Sequence, residues 1–288
     1  MSSSEAGVAE AARRSMSNLT PAERRVARAL LAAYPVAGLE TVAELARRAG
    51  VSGPTVIRFA AKLGYDSYMD FQRVLKDELM ARDRSPALQI SARPPAGESI
   101  LARVQASCVN ALDRTFRSLS PQDFSTTTEL IADRRRPLSA IGGRFTTSIA
   151  EYLTGQLEQV RPMVSLVRPG PNGQLPLALD MSRRDVVVAF DIRRYQRETI
   201  EFARAARSRG AAIILVTDPW LSPIAEIAQD VLPVAVETVS PFDTLMPALA
   251  VADAIVTSVV ERIGESAEKR VRDLDLFTEQ HTTREPGP

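Results

Sequence analysis

Apolar residues recur at helical intervals through the first part of the chain and change to short continuous runs beyond Pro137. That change predicts an all-helical segment followed by an α/β segment with a parallel sheet. Over residues 19–34, Val26, Leu30 and Leu31 mark a helix opened by Thr20, Pro21 and Glu23. Residues 41–65, TVAELARRAGVSGPTVIRFAAKLGY, predict two short helices joined by a tight turn. Phe71, Val74, Leu75 and Leu79 stripe a further helix over 68–80. A longer one over 98–119 carries Ile100, Val104, Cys108, Ala111, Leu112, Thr115 and Leu119, and suits docking on its own domain or on a second subunit. The stretch 83–97 turns rich in Ser, Arg, Pro and Gly and reads as a semi-rigid connector. Beyond it, apolar runs at 138–141, 163–167, 186–190, 213–216 and 231–236 predict strands, and 147–160, 198–208, 222–228 and 244–263 predict helices.

The paired helices at 41–65 have the spacing of a helix-turn-helix. Ala46 lets the helices approach, Gly50 permits the turn, and Val51, Val56 and Phe59 fill the wedge. Thr41 and Glu44 form a capping box; Ser52 is placed to cap the second helix, Pro54 fits its first turn and Gly64 can end it. With Val56 and Phe59 inward, Gly53, Ile57, Arg58 and Lys62 lie on or beside the opposite face. Arg58 is the candidate for reading a guanine edge through its two-pronged fork. Lys62, Arg47, Arg48, Ser52 and Thr55 are candidates for phosphate contacts, and Ile57 suits a thymine methyl or a neighbouring helix. A dimer on a two-fold symmetric operator in double-stranded DNA is the expected partnership.

Charge sharpens this picture. The whole chain carries a formal net charge of +1, yet Arg47, Arg48, Arg58 and Lys62 face only Glu44 within the helix-turn-helix. Basic character is concentrated where a phosphate backbone would lie. A single cysteine, Cys108, excludes an internal disulfide and a cysteine-cluster zinc site. The amino terminus has no long apolar core, and nowhere do about 18 apolar residues run together, so neither secretion nor membrane insertion is expected and the location reads as cytoplasmic. No cofactor or metal is called for.

In a parallel sheet, ligands collect at the carboxyl ends of the strands, which selects the loops 142–148, 191–199 and 217–223. LTPAERRVA, the 41–65 block and RDVVVAFDIRRYQRETIEFARAARSRGAAIILVTDPWLSPIAEIAQDVLPV together resemble the MurR/RpiR family of bacterial regulators over roughly residues 17–262. The resemblance implies a multidomain α and α/β chain: an all-α helix-turn-helix domain followed by a sugar isomerase (SIS)-like parallel α/β sandwich. The boundaries read as a flexible segment at 1–15, the DNA-binding domain at 16–82, the linker at 83–97, an effector and oligomerisation domain at 98–278, and a flexible tail at 279–288. It further implies a regulator, often a repressor, that senses a phosphorylated sugar or related metabolite and assembles as a homodimer or homotetramer.

The ligand loops depart from that family's pattern. Phosphosugar-binding SIS domains carry a Ser-x-Ser-Gly-x-Thr-like loop after the strand that here ends at Phe190; this chain has Asp191, Ile192, Arg193, Arg194 and Tyr195. Asp191 repels a phosphate, whereas Arg193 and Arg194 attract one. The first loop keeps Gly142 for close approach and Thr146 and Thr147 at a helix start, and adds Arg144. One reading has Gly142, Arg144, Thr146, Thr147, Arg193 and Arg194 hold an anionic metabolite, a sugar phosphate or sugar acid, with Asp191 holding sugar hydroxyls or orienting an arginine. Another has Asp191 and the arginines fill the old pocket as a structural ion-pair network. Asp218 and Trp220 line the pocket or stabilise the turn, and 240–244 reads as a capped helix start. An aldose-ketose isomerase is the competing class, with Glu151 and Glu198 as available carboxylates and His281 in a polar tail. A DNA-binding protein without effector control is the third.

Overall fold

The computed structural model describes residues 7–82, 90, 99–168, 170 and 175–282. They group into two compact units. The first draws on the chain up to Ser120 together with Thr217–Glu226 and Pro233–Pro247; the second on Pro121–Val216, Ile227–Leu232 and the chain from Ala248 onward. Of the expected connector at 83–97 only Ile90 is among the described residues, and none of 1–6 or 283–288 is; the side chain of His281 also lies outside them.

The first unit is helical, with α1 (Val8–Arg14), α2 (Pro21–Ala32), α3 (Val36–Leu39), α4 (Val42–Ala49), α5 (Gly53–Lys62), α6 (Tyr68–Arg82) and α7 (Ile100–Ser118). Its core joins Val26, Leu30, Leu45, Val56, Phe59, Phe71 and Leu75 from α2, α4, α5 and α6, all of them buried. The expectation of a flexible leader through residue 15 is corrected: Val8, Ala9 and Ala12 are buried, and the Val8 amide donates to Glu78 Oε1 at 2.7 Å. The hydroxyl of Tyr34 donates to the same carboxylate, so α1 is pinned by a charge-assisted bond as well as by its apolar face. Polar side chains of α6 serve the end of α3, where carbonyls lack helical partners. Gln72 Nε2 and the Tyr68 hydroxyl donate to Glu40 O at 2.8 and 2.9 Å. On α7 the apolar stripe is buried only at Ala111, with Thr115 beside it, while Ile100, Leu101, Val104, Val109 and Phe116 are exposed. Cys108 is half-buried.

The second unit is built on a five-stranded sheet in the order β2-β1-β3-β4-β5. The strands are β1 (Leu138–Gly142), β2 (Val164–Val167), β3 (Val186–Asp191), β4 (Ala212–Thr217) and β5 (Asp230–Pro233). β1 runs parallel to both neighbours, with Leu138 opposite Val164 and Val186. Every residue of β1, β3 and β4 is buried, as a sheet covered on both faces requires. Three expected helices match: α9 (Thr147–Val160), α11 (Arg197–Ser208) and α12 (Met246–Ile263); the expected helix at 222–228 is one short 3-10 turn, Pro223–Glu226.

Three helices are additions: α8 (Pro121–Ala132), α10 (Leu175–Leu179) and α13 (Glu265–Thr282). The last corrects the expected tail at 279–288, because helix continues to Thr282. α8 hides from a hydrophobic pattern because Thr127 and Thr128 share its buried side with Ile131. Arg161, fully buried after α9, holds its far end: the guanidinium donates to the carbonyls of Ile131 and Arg136, and more loosely to Asp133 O and Pro162 O at 3.3 Å. Ile131 O lies in the last turn of α8, where carbonyls lack helical partners, whereas Asp133 O also accepts from Arg136 N at 3.0 Å.

Candidate functional site

The reading helix is set by local chemistry that the structure bears out. Thr41 N donates to Glu44 Oε2 at 2.8 Å and Glu44 N to Thr41 Oγ1 at 3.3 Å, closing the first capping box; Thr20 and Glu23 close the same box on α2. Gly50 stands at φ +62°, and Val51 N returns to Ala46 O at 2.9 Å, ending α4 and turning the chain into α5. Ala46, Val56 and Phe59 are buried and Val51 half-buried, so the wedge is filled as expected.

On the outer face of α5, Ile57 is 50% exposed and Arg58 is exposed beside it. Four expected DNA contacts have partners within the protein. Thr55 is buried: it lies one helical turn before Phe59, on the inner side, and its Oγ1 accepts from Arg58 Nη2 at 3.2 Å. Its hydroxyl is turned toward the Arg58 guanidinium. Ser52 occupies the cap position without capping; its hydroxyl shares a 3.0 Å bond with Thr55 Oγ1. Lys62 is committed inward, with Nζ 2.7 Å from Glu23 Oε2, whose side chain is only 4% exposed. Arg48 pairs with Glu40, through Nε to Oε2 at 3.1 Å and a second bond. Gly53 is half-buried near Val42, and Arg47 is exposed, with no ion-pair or hydrogen-bond partner among the described residues. Of the four expected cations, all exposed, Arg47 and Arg58 are the two without an ion pair among the described residues.

The Lys62–Glu23 bond has a pH signature. The Lys62 ammonium, more than the opposing cost of burial, holds the Glu23 carboxyl at about 2, below its ordinary 4.5. A depressed carboxyl stabilises the fold above its unfolded value, and that contribution fades as pH falls from about 4.5 to about 2. Lys62→Met leaves a buried carboxylate without its cation and costs about 1–3 kcal/mol at neutral pH. The gap between variant and wild type narrows toward pH 2, measured by denaturant unfolding across that range. A gap independent of pH would contradict the assignment.

The strand order reverses between β1 and β3, so the loops after these strands flank the point where open parallel sheets leave a crevice. Here the two loops close on each other. Thr146, buried, accepts from Gly143 N at 2.8 Å and donates to Phe190 O at 2.7 Å, spending its hydroxyl on joining the loops. Thr147 donates to Gly143 O at 2.6 Å, within its own turn. A Cβ at Gly142 would stand 2.4 Å from the backbone of Thr146 and Thr147, and one at Gly143 would stand 2.3 Å from Gln196 Cγ. The glycines thus make room for the chain itself. Gly142, Thr146 and Thr147, expected as ligand contacts, are engaged here in packing and bonding the loops themselves. Asp191 ends β3, buried, and accepts from Gln196 N at 3.2 Å. Arg144 is exposed with its guanidinium 5.3 Å from the Phe145 ring; Arg193 is half-buried, and Arg194 is exposed at φ +68°. In the loop at 217–223, Asp218 Oδ1 accepts from Trp220 N at 2.9 Å and Ser222 Oγ from Ile224 N at 3.2 Å, both turn-stabilising bonds.

Residues 6–82 match the helix-turn-helix domain of the rpiR family and residues 130–258 match the SIS domain. The chain belongs to the rpiR family. This rpiR-family protein is a DNA-binding transcription regulator with a carboxyl-terminal SIS domain. It is 25% identical over 263 residues to the HTH-type transcriptional regulator HexR of Pseudomonas aeruginosa, covering 90% of this chain and 91% of HexR. It is 27% identical over 213 residues to an HTH-type transcriptional regulator of Providencia stuartii, covering 73% and 74%. Among solved structures, the sugar isomerase domain of an RpiR transcription factor from Sphaerobacter thermophilus superposes with a TM-score of 0.59 at 22% identity, over 62% of this chain and 99% of that one. Vibrio vulnificus NanR, solved with ManNAc-6P, superposes with a TM-score of 0.54 at 20% identity, over 92% and 96%. The last two likenesses establish the fold.

Proposed function

We propose that this regulator is a cytoplasmic repressor, dimeric or tetrameric through its sheet-containing domain, that binds a double-stranded operator and responds to a small anionic sugar derivative. The observation that carries the DNA reading is Arg58: exposed, on the outer face of α5, and bonded to the buried Thr55. Its fork fits the paired acceptors of guanine, and Arg47 on α4 fits a flanking phosphate.

Effector recognition rests on the cations carried at the carboxyl ends of β1 and β3: Arg144, Arg193 and Arg194. Gly142, Thr146 and Thr147 build the loop that carries Arg144, and Asp191 anchors the loop of the other two. NanR was solved with a sugar phosphate, which supports a phosphorylated or carboxylated sugar derivative as the ligand class. Catalysis is the weaker reading. An isomerase needs a carboxylate beside the substrate carbonyl, but Glu151 is 3.1 Å from the Arg168 guanidinium and Glu198 is exposed in the first turn of α11. Control follows as a population shift: effector and DNA favour different placements of the two reading heads, so each changes the affinity of the other.

Arg193→Ala with Arg194→Ala abolishes the response of operator binding to the effector and leaves operator affinity unchanged. A thermal-shift screen of sugar phosphates and sugar acids identifies that effector, because a ligand bound only to the native state raises its stability. A double variant that still responds, or a wild type stabilised by no member of the screen, overturns the effector assignment.

A further inference from the structure

At the amino-terminal ends of the strands, opposite the ligand loops, three neighbouring connections carry an unusual density of arginine. Arg134, Arg135 and Arg136 precede β1, Arg183 and Arg184 precede β3, and Arg207 and Arg209 precede β4. β1, β3 and β4 are adjacent in the sheet, so these connections form one row about 5 Å apart at their roots. Hydrogen bonds lock them together. Arg136 Nη2 donates to Arg183 O at 3.0 Å and Arg184 Nη2 to Arg135 O at 3.2 Å, while Ala212 N donates to Asp185 O at 2.9 Å. Arg183 lies over Gly210, where a Cβ would stand 2.7 Å from its Cγ.

The row is not neutralised by its own acids. Asp133 is paired with Arg135, whose Nε and Nη2 lie 2.9 and 3.1 Å from its two oxygens, and Asp180 and Asp185 offset two charges more, so the seven arginines outnumber the three acids of these connections by four. All but Arg136 of the seven arginines are exposed, in a chain whose net charge is +1. Such a field at one end of a nearly neutral molecule attracts anions.

We propose that this arginine row is a second nucleic-acid surface, one that grips the phosphate backbone of duplex DNA without reading sequence. The partner is an extended polyanion because the row is open and its exposed side chains are mostly cationic; the exposed Leu274 and Phe277 share a cleft with Arg134 alone of the seven. A small anion fits less well. The adjoining cleft of about 630 Å³ sets Glu129 and Asp133 among Arg135, Arg136 and Arg262, balancing charge locally, while Arg183, Arg184, Arg207 and Arg209 lie along the open row. The inference is independent of the effector assignment and adds a sequence-blind grip to the reading helix.

The test uses the full chain and a random-sequence duplex several helical turns long, titrated over a range of salt. Arg134→Gln, Arg183→Gln and Arg209→Gln together reduce the slope of log affinity against log salt by about 0.9 for each phosphate that is no longer neutralised, close to three in all, and lower affinity roughly tenfold or more at low salt. The same three positions as lysine restore most of the slope, and the melting temperature of both variants stays near wild type. Selectivity for operator over random duplex is unchanged, which separates this surface from Arg58: loss of selectivity without loss of slope indicts the reading helix instead. A glutamine variant with the wild-type slope, tighter binding of duplex RNA than DNA, or displacement of the duplex by millimolar inorganic phosphate at constant ionic strength overturns the proposal.

Discussion

Arg58→Ala lowers affinity for the operator by roughly 10- to 100-fold and relaxes discrimination at one base pair, the cost of removing a bidentate interaction worth about 1–3 kcal/mol. Arg58 is exposed, and its one bond within the fold is to Thr55 Oγ1, so truncation leaves the core of α2, α4, α5 and α6 as it is. Arg58→Lys restores charge but not the fork, and recovers affinity without recovering discrimination. Thr55→Val keeps the buried shape, removes the acceptor that aims the guanidinium, and produces a smaller loss of the same kind. Competition binding on the operator and on single-base variants measures all three. Equal loss on operator and scrambled DNA would assign Arg58 to phosphate and leave the reading of sequence to other residues.

The largest loss of stability comes from Arg161→Met. The buried guanidinium donates to carbonyls of Ile131, Asp133, Arg136 and Pro162, and the apolar replacement takes the closest of these donors from Ile131 O, which is buried, and Arg136 O, which is partly so. At about 1–3 kcal/mol for each unsatisfied group, partly relieved by water entering the loop, the cost is about 3–5 kcal/mol. Burial pulls the guanidinium down to about 10, and it remains charged at neutral pH, so these are charge-assisted bonds. The melting temperature of the sheet-containing unit falls by roughly 10 °C. Calorimetry checks this. A fall smaller than a few degrees would mean that the loop at 133–136 is held by its neighbours alone. Because this loop carries Arg134 and Arg135, the same variant should also lower affinity for random duplex.

Much of the reading domain is legible because its determinants are local. Thr41 with Glu44, Thr20 with Glu23, Pro54 in the first turn of α5 and Gly50 at positive φ act within a few residues of themselves, and each is where the pattern puts it. Thr55 is legible too, since its separation from Phe59 is one helical turn, but hydroxyl chemistry draws it to the DNA face. The helices α8 and α13 escape for a different reason. Threonines on the buried side of α8 and dense charge along α13 blur the apolar periodicity that would otherwise announce them.

The ligand loops are the least legible part. Glycine and threonine after a strand suit a phosphate cradle and suit a tight self-packed turn equally well. Which of these obtains depends on Phe190 O and Gln196, more than forty residues beyond the first loop. The same holds for Lys62, whose partner Glu23 is 39 residues away, and for Arg161, which serves carbonyls 25 to 30 residues behind it.

By itself, then, the order of residues determined what short-range physics controls: where helices start and stop, the αL turn of the helix pair, the alternation that makes a parallel sheet, and the concentration of cations on the reading unit. Tertiary structure alone decided which polar groups remain available to a partner. A side chain's type sets the bonds it can make, but only packing sets which distant donor or acceptor arrives first, and a hydroxyl or ammonium already bonded inside the protein no longer offers that bond to DNA or a metabolite.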